Sequence, residues 1–250
     1  ARAVVVVDAR DDLLVALVFD LETNTFAFKP TTGALLFKPG VYSLDVPVGY
    51  YTTVHGLGAS PSDVRFVGPS GVHQSAPGRN LIQFWRSAEN LHNAPISGKM
   101  VWSVSQAAPL RRMIVDGDLV LGTAADTQGS GGYISGVKLT KQLNFTMQQQ
   151  WISRNCEVGE GISFFNDPPR SVNFVFVGTT GAPKRTSSCT NAATNRVSPS
   201  PQVLVREDTP ISVEKPYIRI DAQGKYQLIN VPEKGWLLYD EDYPLESTVG

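Results

Sequence analysis

Apolar residues along the chain fall in short runs of Val, Ile, Phe, Trp and Tyr, cut by glycine and proline every few positions. Runs of that length suit strands and not helices, so the pattern predicts β-structure nearly throughout. Helical periodicity is confined to about 11–20 and 141–150. Phe66, Phe84, Trp102, Val115, Ile134, Trp151 and Phe174 mark apolar centres that recur at 13 to 23 residues. Hairpin proteins place strands roughly every 8–12 residues. A solenoid whose coils each give one short strand to each wall repeats near ~20. The spacing therefore favours a parallel β-helix. A β-sandwich with long loops stays open as the alternative, because "MIV" and "NFVFVG" mix alternating and continuous apolar habits.

Beyond about residue 180, "TTGAPKRTSSCTNAATNRVSPSPQ" has no core-forming run and reads as a surface excursion to about 201. Strand patterns return in "QVLVRED" and "PYIRIDAQGKYQLINV", with "DAQGKY" as a hairpin turn, and "YDEDYPLESTVG" reads as a linker or tail.

The chain has 250 residues and 27.1 kDa, with 42% hydrophobic residues, enough for one sizeable core. Its 22 basic and 23 acidic residues nearly cancel and no basic stripe is present, which argues against a nucleic-acid partner. The stretches "AVVVV" and "LLVALVF" are broken up by Asp8, Arg10, Asp11 and Asp12, so no membrane span is expected. A start at Ala1 fits a processed, secreted N-terminus or a trimmed one. Cys156 and Cys189 are the two cysteines, both in turn-rich sequence, and a disulfide between them is the expectation for a secreted protein. With His55, His73 and His92 scattered, no metal site is expected. Asn144 opens the glycosylation triplet "NFT". Neither a G-x-S-x-G elbow nor a phosphate-binding glycine loop occurs, so no cofactor is implied.

The string "SQAAPLRR", residues 105–112, sets an amide, a proline and two arginines against an apolar strand. It belongs to an ordered set of blocks: "ALLFKPGVYSLDVPVGYYTTVHGLG", "FWRSAENL", "VWSVSQAAPLRRMIVDGDLVL", "SGGYISGVKL", "QQQWISRN", "NFVFVG" and "EKPYI". Together these resemble the N-terminal half of glycoside hydrolase family 55, the β-1,3-glucanases or laminarinases, from about Ala34 to Tyr226. The resemblance implies an all-β fold: a right-handed, single-stranded parallel β-helix of the pectate-lyase-like kind. Residues 34–232 would form it, after a capping segment at 1–33 and before a tail or linker at 233–250. A second β-helix, in the same or a partner chain, would supply the general acid for inverting hydrolysis of β-glucan or a related polysaccharide.

By the same resemblance, Gln106 and Ser130 match the pair that holds the attacking water. A Gln amide and a Ser hydroxyl orient water by hydrogen bonding without serving as general bases. In "QQQW", Gln149 and Trp151 offer hydrogen bonds and a stacking face to a sugar, against the alternative of an interior amide ladder. Arg86 and Glu89 are expected to form an ion pair, and Arg111 and Arg112 to satisfy carbonyls or carboxylates such as Asp116 or Asp118. The acidic residues Glu233, Asp240, Glu241, Asp242 and Glu246 read as a solvated tail. Besides a glucanase, two other readings remain open: a non-catalytic carbohydrate-binding protein, and a structural or assembly β-helix.

Overall fold

The computed structural model describes residues 2–9, 32–75, 80–122, 129–146, 148–164, 173–183, 202–209 and 214–231. The helical pattern at 11–20, most of the 180–201 excursion with Cys189, and the acidic tail lie outside these residues. The first strands are β1 (Arg2–Val7), β2 (Thr32–Phe37), β3 (Gly40–Tyr42), β4 (Val46–Val48), β5 (Thr52–Gly56), β6 (Val64–Phe66), β7 (Val72–Gln74) and β8 (Arg86–Asn93). They are followed by β9 (Lys99–Val101), β10 (Leu110–Val115), β11 (Asp118–Val120), β12 (Tyr133–Leu139), β13 (Gln142–Asn144) and β14 (Gln150–Arg154). The last are β15 (Glu157–Val158), β16 (Gly161–Ser163), β17 (Asn173–Val177), β18 (Gln202–Arg206), β19 (Tyr217–Ile220) and β20 (Tyr226–Ile229).

One wall stacks β1, β2, β5, β8, β10, β12, β14, β17 and β18 in that order, each pair parallel. A second wall stacks β9, β11, β13 and β16, also in parallel. Each coil thus lays its strands one rung above those of the coil before, which is the parallel β-helix. The stack begins earlier than the expected boundary at 34. β1 pairs with β2 from Arg2↔Thr32 to Val7↔Phe37, so the run "AVVVV" forms a rung instead of a cap.

Among the described residues of 141–150 there is no helix. Leu143 and Phe145 are both fully buried two positions apart, which is strand periodicity, with β13 at Gln142–Asn144 and β14 starting at Gln150. The interior is a column of side chains along the axis, with Phe37, Tyr42 and Phe66 near one end and Phe145, Trp151, Phe174 and Phe176 near the other. Each such fully buried ring contributes about 1.5–3 kcal/mol.

The wall bends at one aligned position in five successive rungs, where Asn90, Arg112, Gly136, Asn155 and Gly178 all take positive φ. Left-handed backbone costs a non-glycine residue about 1–2 kcal/mol, and side-chain bonds offset it here. The Asn90 Nδ2 donates to the Gly56 and Gly58 carbonyls at 2.7 and 2.9 Å, and its Oδ1 accepts from Arg112 Nε at 2.9 Å.

An outward column on the same wall reads His55, Glu89, Arg111, Ser135, Arg154. The segment from Glu214 to Ile220 lies across it as a strap. Glu214 meets Arg154 at 2.6 Å and Arg111 at 3.8 Å, and accepts from Ser135 Oγ at 3.0 Å. The Lys215 Nζ donates to both oxygens of Glu89 at 2.8 and 2.7 Å, and His55 Nε2 donates to the Ile218 carbonyl at 2.9 Å. Past the strap, β19 turns back at Asp221–Lys225 into β20 as an antiparallel hairpin, at the position the "DAQGKY" pattern marks.

Candidate functional site

Residues leading into the first wall share a geometry set by the register. Tyr51, Trp85, Ala107 and Gly131 are aligned on four successive rungs and all have positive φ. The residues just before them are therefore aligned too, and on the later rungs these are Gln106, Ser130 and, one rung further, Gln149. Gln106 is exposed, and its Nε2 donates to Ser130 Oγ at 3.4 Å. Buried Ser105 steadies the turn, its Oγ accepting from the Ser130 amide at 3.3 Å. Gly131 is required twice over. Its φ is +84°, and a Cβ there would lie 3.0 Å from Gln106 Cγ and push the amide aside.

Beside this polar column runs a groove of about 510 Å³. Tyr51, Trp85 and Ala107 line one side, and Glu89, Arg111 and Lys215 of the strap region line the other. The Tyr51 and Trp85 rings stack 5.3 Å apart at 8°, and Trp85 is 42% exposed. Among the described residues, no group of three or more His, Cys, Asp or Glu is placed to hold a metal ion, and no helix is long and apolar enough to cross a membrane.

No protein-family model matches the sequence. An exo-β-1,3-glucanase of Streptomyces sp. (strain SirexAA-E / ActE) is 38% identical over 206 residues, which is 80% of this chain and 30% of the relative. The solved structure of sacteLam55A from Streptomyces sp. SirexAA-E matches with a TM-score of 0.73 at 34% identity, over 90% of this chain and 38% of that one. A variant of sacteLam55A in complex with glucose gives a TM-score of 0.75 at 32% identity, over 93% and 40%. These matches agree with the resemblance of the sequence blocks to glycoside hydrolase family 55. The chain spans only 30% to 40% of the length of these relatives.

Of the candidate residues, Gln106, Ser130 and Gln149 form one column, and Trp151 does not join it. Trp151 is 2% exposed, packs on Phe145, and would collide with a Cβ on Gly132 at 2.0 Å, so its faces serve the core and are not offered to a sugar. Its position starts the inward phase of β14, which alternates buried and exposed from Gln150 onward. Gln148 is the interior amide of the three glutamines, donating to the Val104 and Leu121 carbonyls at 2.7 and 2.9 Å.

The Arg86–Glu89 pair does not form, because residues three apart on a strand face opposite sides. Arg86 points inward, donating to the Val48 carbonyl at 2.6 Å, and burial pushes its guanidinium down to about 10. Arg112 satisfies a carbonyl as expected, that of Ala59 at 2.9 Å, and stacks on Tyr217. Asp116 and Asp118 serve neither arginine. Asp116 pairs with His92 and Arg65, Asp118 accepts from the Gln142 amide, and Arg111 turns to Glu214. Cys156 is a buried thiol donating to the Arg154 carbonyl at 3.2 Å, and burial pushes it up to about 12. Its expected partner Cys189 lies outside the described residues. Asn144 sits on β13, half-buried, with Oδ1 accepting from the Thr146 amide at 3.1 Å.

Sequence reasoning passed over Tyr51, Trp85 and the Glu214–Lys215 strap as parts of the site. The signal for the first two was the aromatic doublets "YY" and "FW", each directly before a strand of the same wall.

Proposed function

We propose that this β-helix is part of a secreted β-1,3-glucan hydrolase in which Gln106 and Ser130 hold the attacking water. The observation that carries the reading is the Gln106 Nε2 to Ser130 Oγ contact of 3.4 Å, made by two residues on successive rungs, the first of them next in sequence to groove-lining Ala107. An amide and a hydroxyl one rung apart present donors and acceptors that orient a water without deprotonating it. Gln149 extends the same column by one rung and offers a further amide to sugar hydroxyls.

Inverting hydrolysis also needs a protonated carboxyl roughly 6.5–9.5 Å from the activating group. Among the described residues the two buried carboxylates are committed elsewhere: Glu89 accepts from Lys215 through both oxygens, and Glu214 is held by Arg154, Arg111 and Ser135. The general acid belongs, in this reading, to a part of the protein beyond this β-helix or to a partner chain.

The test is laminarin hydrolysis by the full-length protein. Gln106→Ala is expected to lower kcat about 10²-fold or more with little change in KM, as for lost positioning of a reacting water. Saturable glucan binding with no sugar release from the wild type would support the non-catalytic carbohydrate-binding reading instead.

A further inference from the structure

We propose that buried Gln148 is a positioning residue for the water-holding pair, its side-chain amide setting the spacing between the rungs that carry Gln106 and Ser130. The role rests on the hydrolase reading above, whereas the contacts that define it are independent of that reading. Three successive connections of the β-helix bear the polar column. Gln106 lies between β9 and β10, Ser130 between β11 and β12, and Gln149 between β13 and β14. Gln148 belongs to the third connection and is fully buried. Its Nε2 donates to one carbonyl in each of the other two, that of Val104 at 2.7 Å and that of Leu121 at 2.9 Å. The backbone completes the link. Gln148 bridges Gly129 in parallel register, and the Gln149 amide donates to the Gly129 carbonyl at 3.0 Å.

The choice of side chain follows from the stacking. Rungs lie about 4.8 Å apart, and a carboxamide nitrogen with its two hydrogens donates to carbonyls on two neighbouring connections at once. Val104 stands two residues before Gln106, and Gly129 directly before Ser130. Gln148 therefore holds the backbone beneath both members of the pair while its own side chain stays away from solvent. Other buried groups fix the rest of the first connection. The Ser103 amide donates to Gln74 Oε1 at 3.0 Å, the Ser105 amide to the Gln83 carbonyl at 3.0 Å, and Trp102 Nε1 to the Ala108 carbonyl at 2.9 Å. Gln106 and Ala107 are the exposed tip of a turn anchored from within. Groups that hold a reacting water lose rate steeply when displaced by about 1 Å. Gly129 gives a second handle on the same amide. A Cβ there would lie 2.5 Å from Gln148 Nε2 and force the carboxamide off its carbonyls.

The experiment is steady-state laminarin hydrolysis by the full-length protein and three single variants. Gln148→Met keeps the length of the side chain and removes its donors. Gly129→Ala leaves every hydrogen-bonding group in place and displaces the amide, so it carries the test where Gln148→Met fails to fold. Asn93→Ala is the control, because Asn93 is an equally buried amide that ties its coil to Val72 through both side-chain atoms, on a rung before Gln106. Thermal melts identify the folded variants. Gln148→Met and Gly129→Ala are each expected to lower kcat about tenfold with KM unchanged, while Asn93→Ala loses thermal stability and keeps its kcat. On a Gln106→Ala background, Gln148→Met is expected to cost about twofold or less in kcat, because the spacing no longer has a Gln106 to set. Wild-type kcat in folded Gln148→Met and Gly129→Ala, or an equal loss in Asn93→Ala, overturns the positioning role while the hydrolase reading stands. No sugar release by the wild type overturns the hydrolase reading and this role with it.

Discussion

Single residues decide both the bend of the wall and the water-holding pair. Asn90 is fully buried in left-handed backbone and ties two carbonyls of the preceding coil to Arg112 of the next. Asn90→Ala is expected to lower stability by about 2–3 kcal/mol, from lost buried hydrogen bonds and uncompensated backbone strain, read as a fall in urea midpoint. With its thiol pushed up to about 12 by burial, Cys156 stays protonated well past neutrality. An alkylating reagent at pH 8 should label it only at the rate of unfolding, whereas prompt labelling of the native protein would show the site to be open. The folded thiol holds its proton more tightly than the unfolded one, so its contribution to stability is complete below the unfolded value and is lost as pH rises toward 12. The Gln106–Ser130 pair was legible only through the resemblance of its sequence blocks to family 55. Coils of unequal length hide the alignment, and no fixed period brings Gln106, Ser130 and Gln149 together. Trp151 misled because an aromatic beside three amides resembles a sugar platform, while the phase of β14 turns it inward.

Among the elements, the strap from Glu214 to Ile220 stands out because it joins coils far apart in sequence. Glu214→Ala leaves Arg111 and Arg154, both only about a quarter exposed, without their carboxylate, and should cost about 3 kcal/mol. Ser135→Ala, which removes one hydrogen bond to the same carboxylate, should cost about 1 kcal/mol. Both are read from urea denaturation. His55 adds a pH dependence. Burial holds its imidazole below the usual 6.5, so the unfolded chain takes up a proton that the folded protein resists. Stability therefore falls as pH drops from 6.5 through the lowered value and is unaffected by this group above 6.5. A His55→Gln variant should flatten that acid slope, while an unchanged slope would assign it to other groups. At this level the β19–β20 hairpin could be read from its turn residues, but the strap could not. Its partners lie up to 163 positions away and become neighbours only once the coils stack.

At the scale of the whole molecule, the spacing of the apolar centres only favoured a solenoid over a sandwich, and the resemblance of the sequence blocks to family 55 decided between them. The strands now fall in parallel register over nine rungs of one wall. The resemblance began at Ala34 and left the start of that stack unmarked, because a run of valines carries no sign that tells a first rung from a cap. The chain covers 30% of an exo-β-1,3-glucanase and 40% of a glucose-bound structural relative. The central claim is that Gln106 and Ser130 place a water for inverting attack on a β-1,3-glucan. Proton NMR of laminarin digested by the full-length protein tests it most directly. The account predicts that the first product is the α-anomer, and that Gln106→Ala and Ser130→Ala each suppress its appearance while laminarin still binds. Release of the β-anomer first, or full activity in both variants, would contradict it.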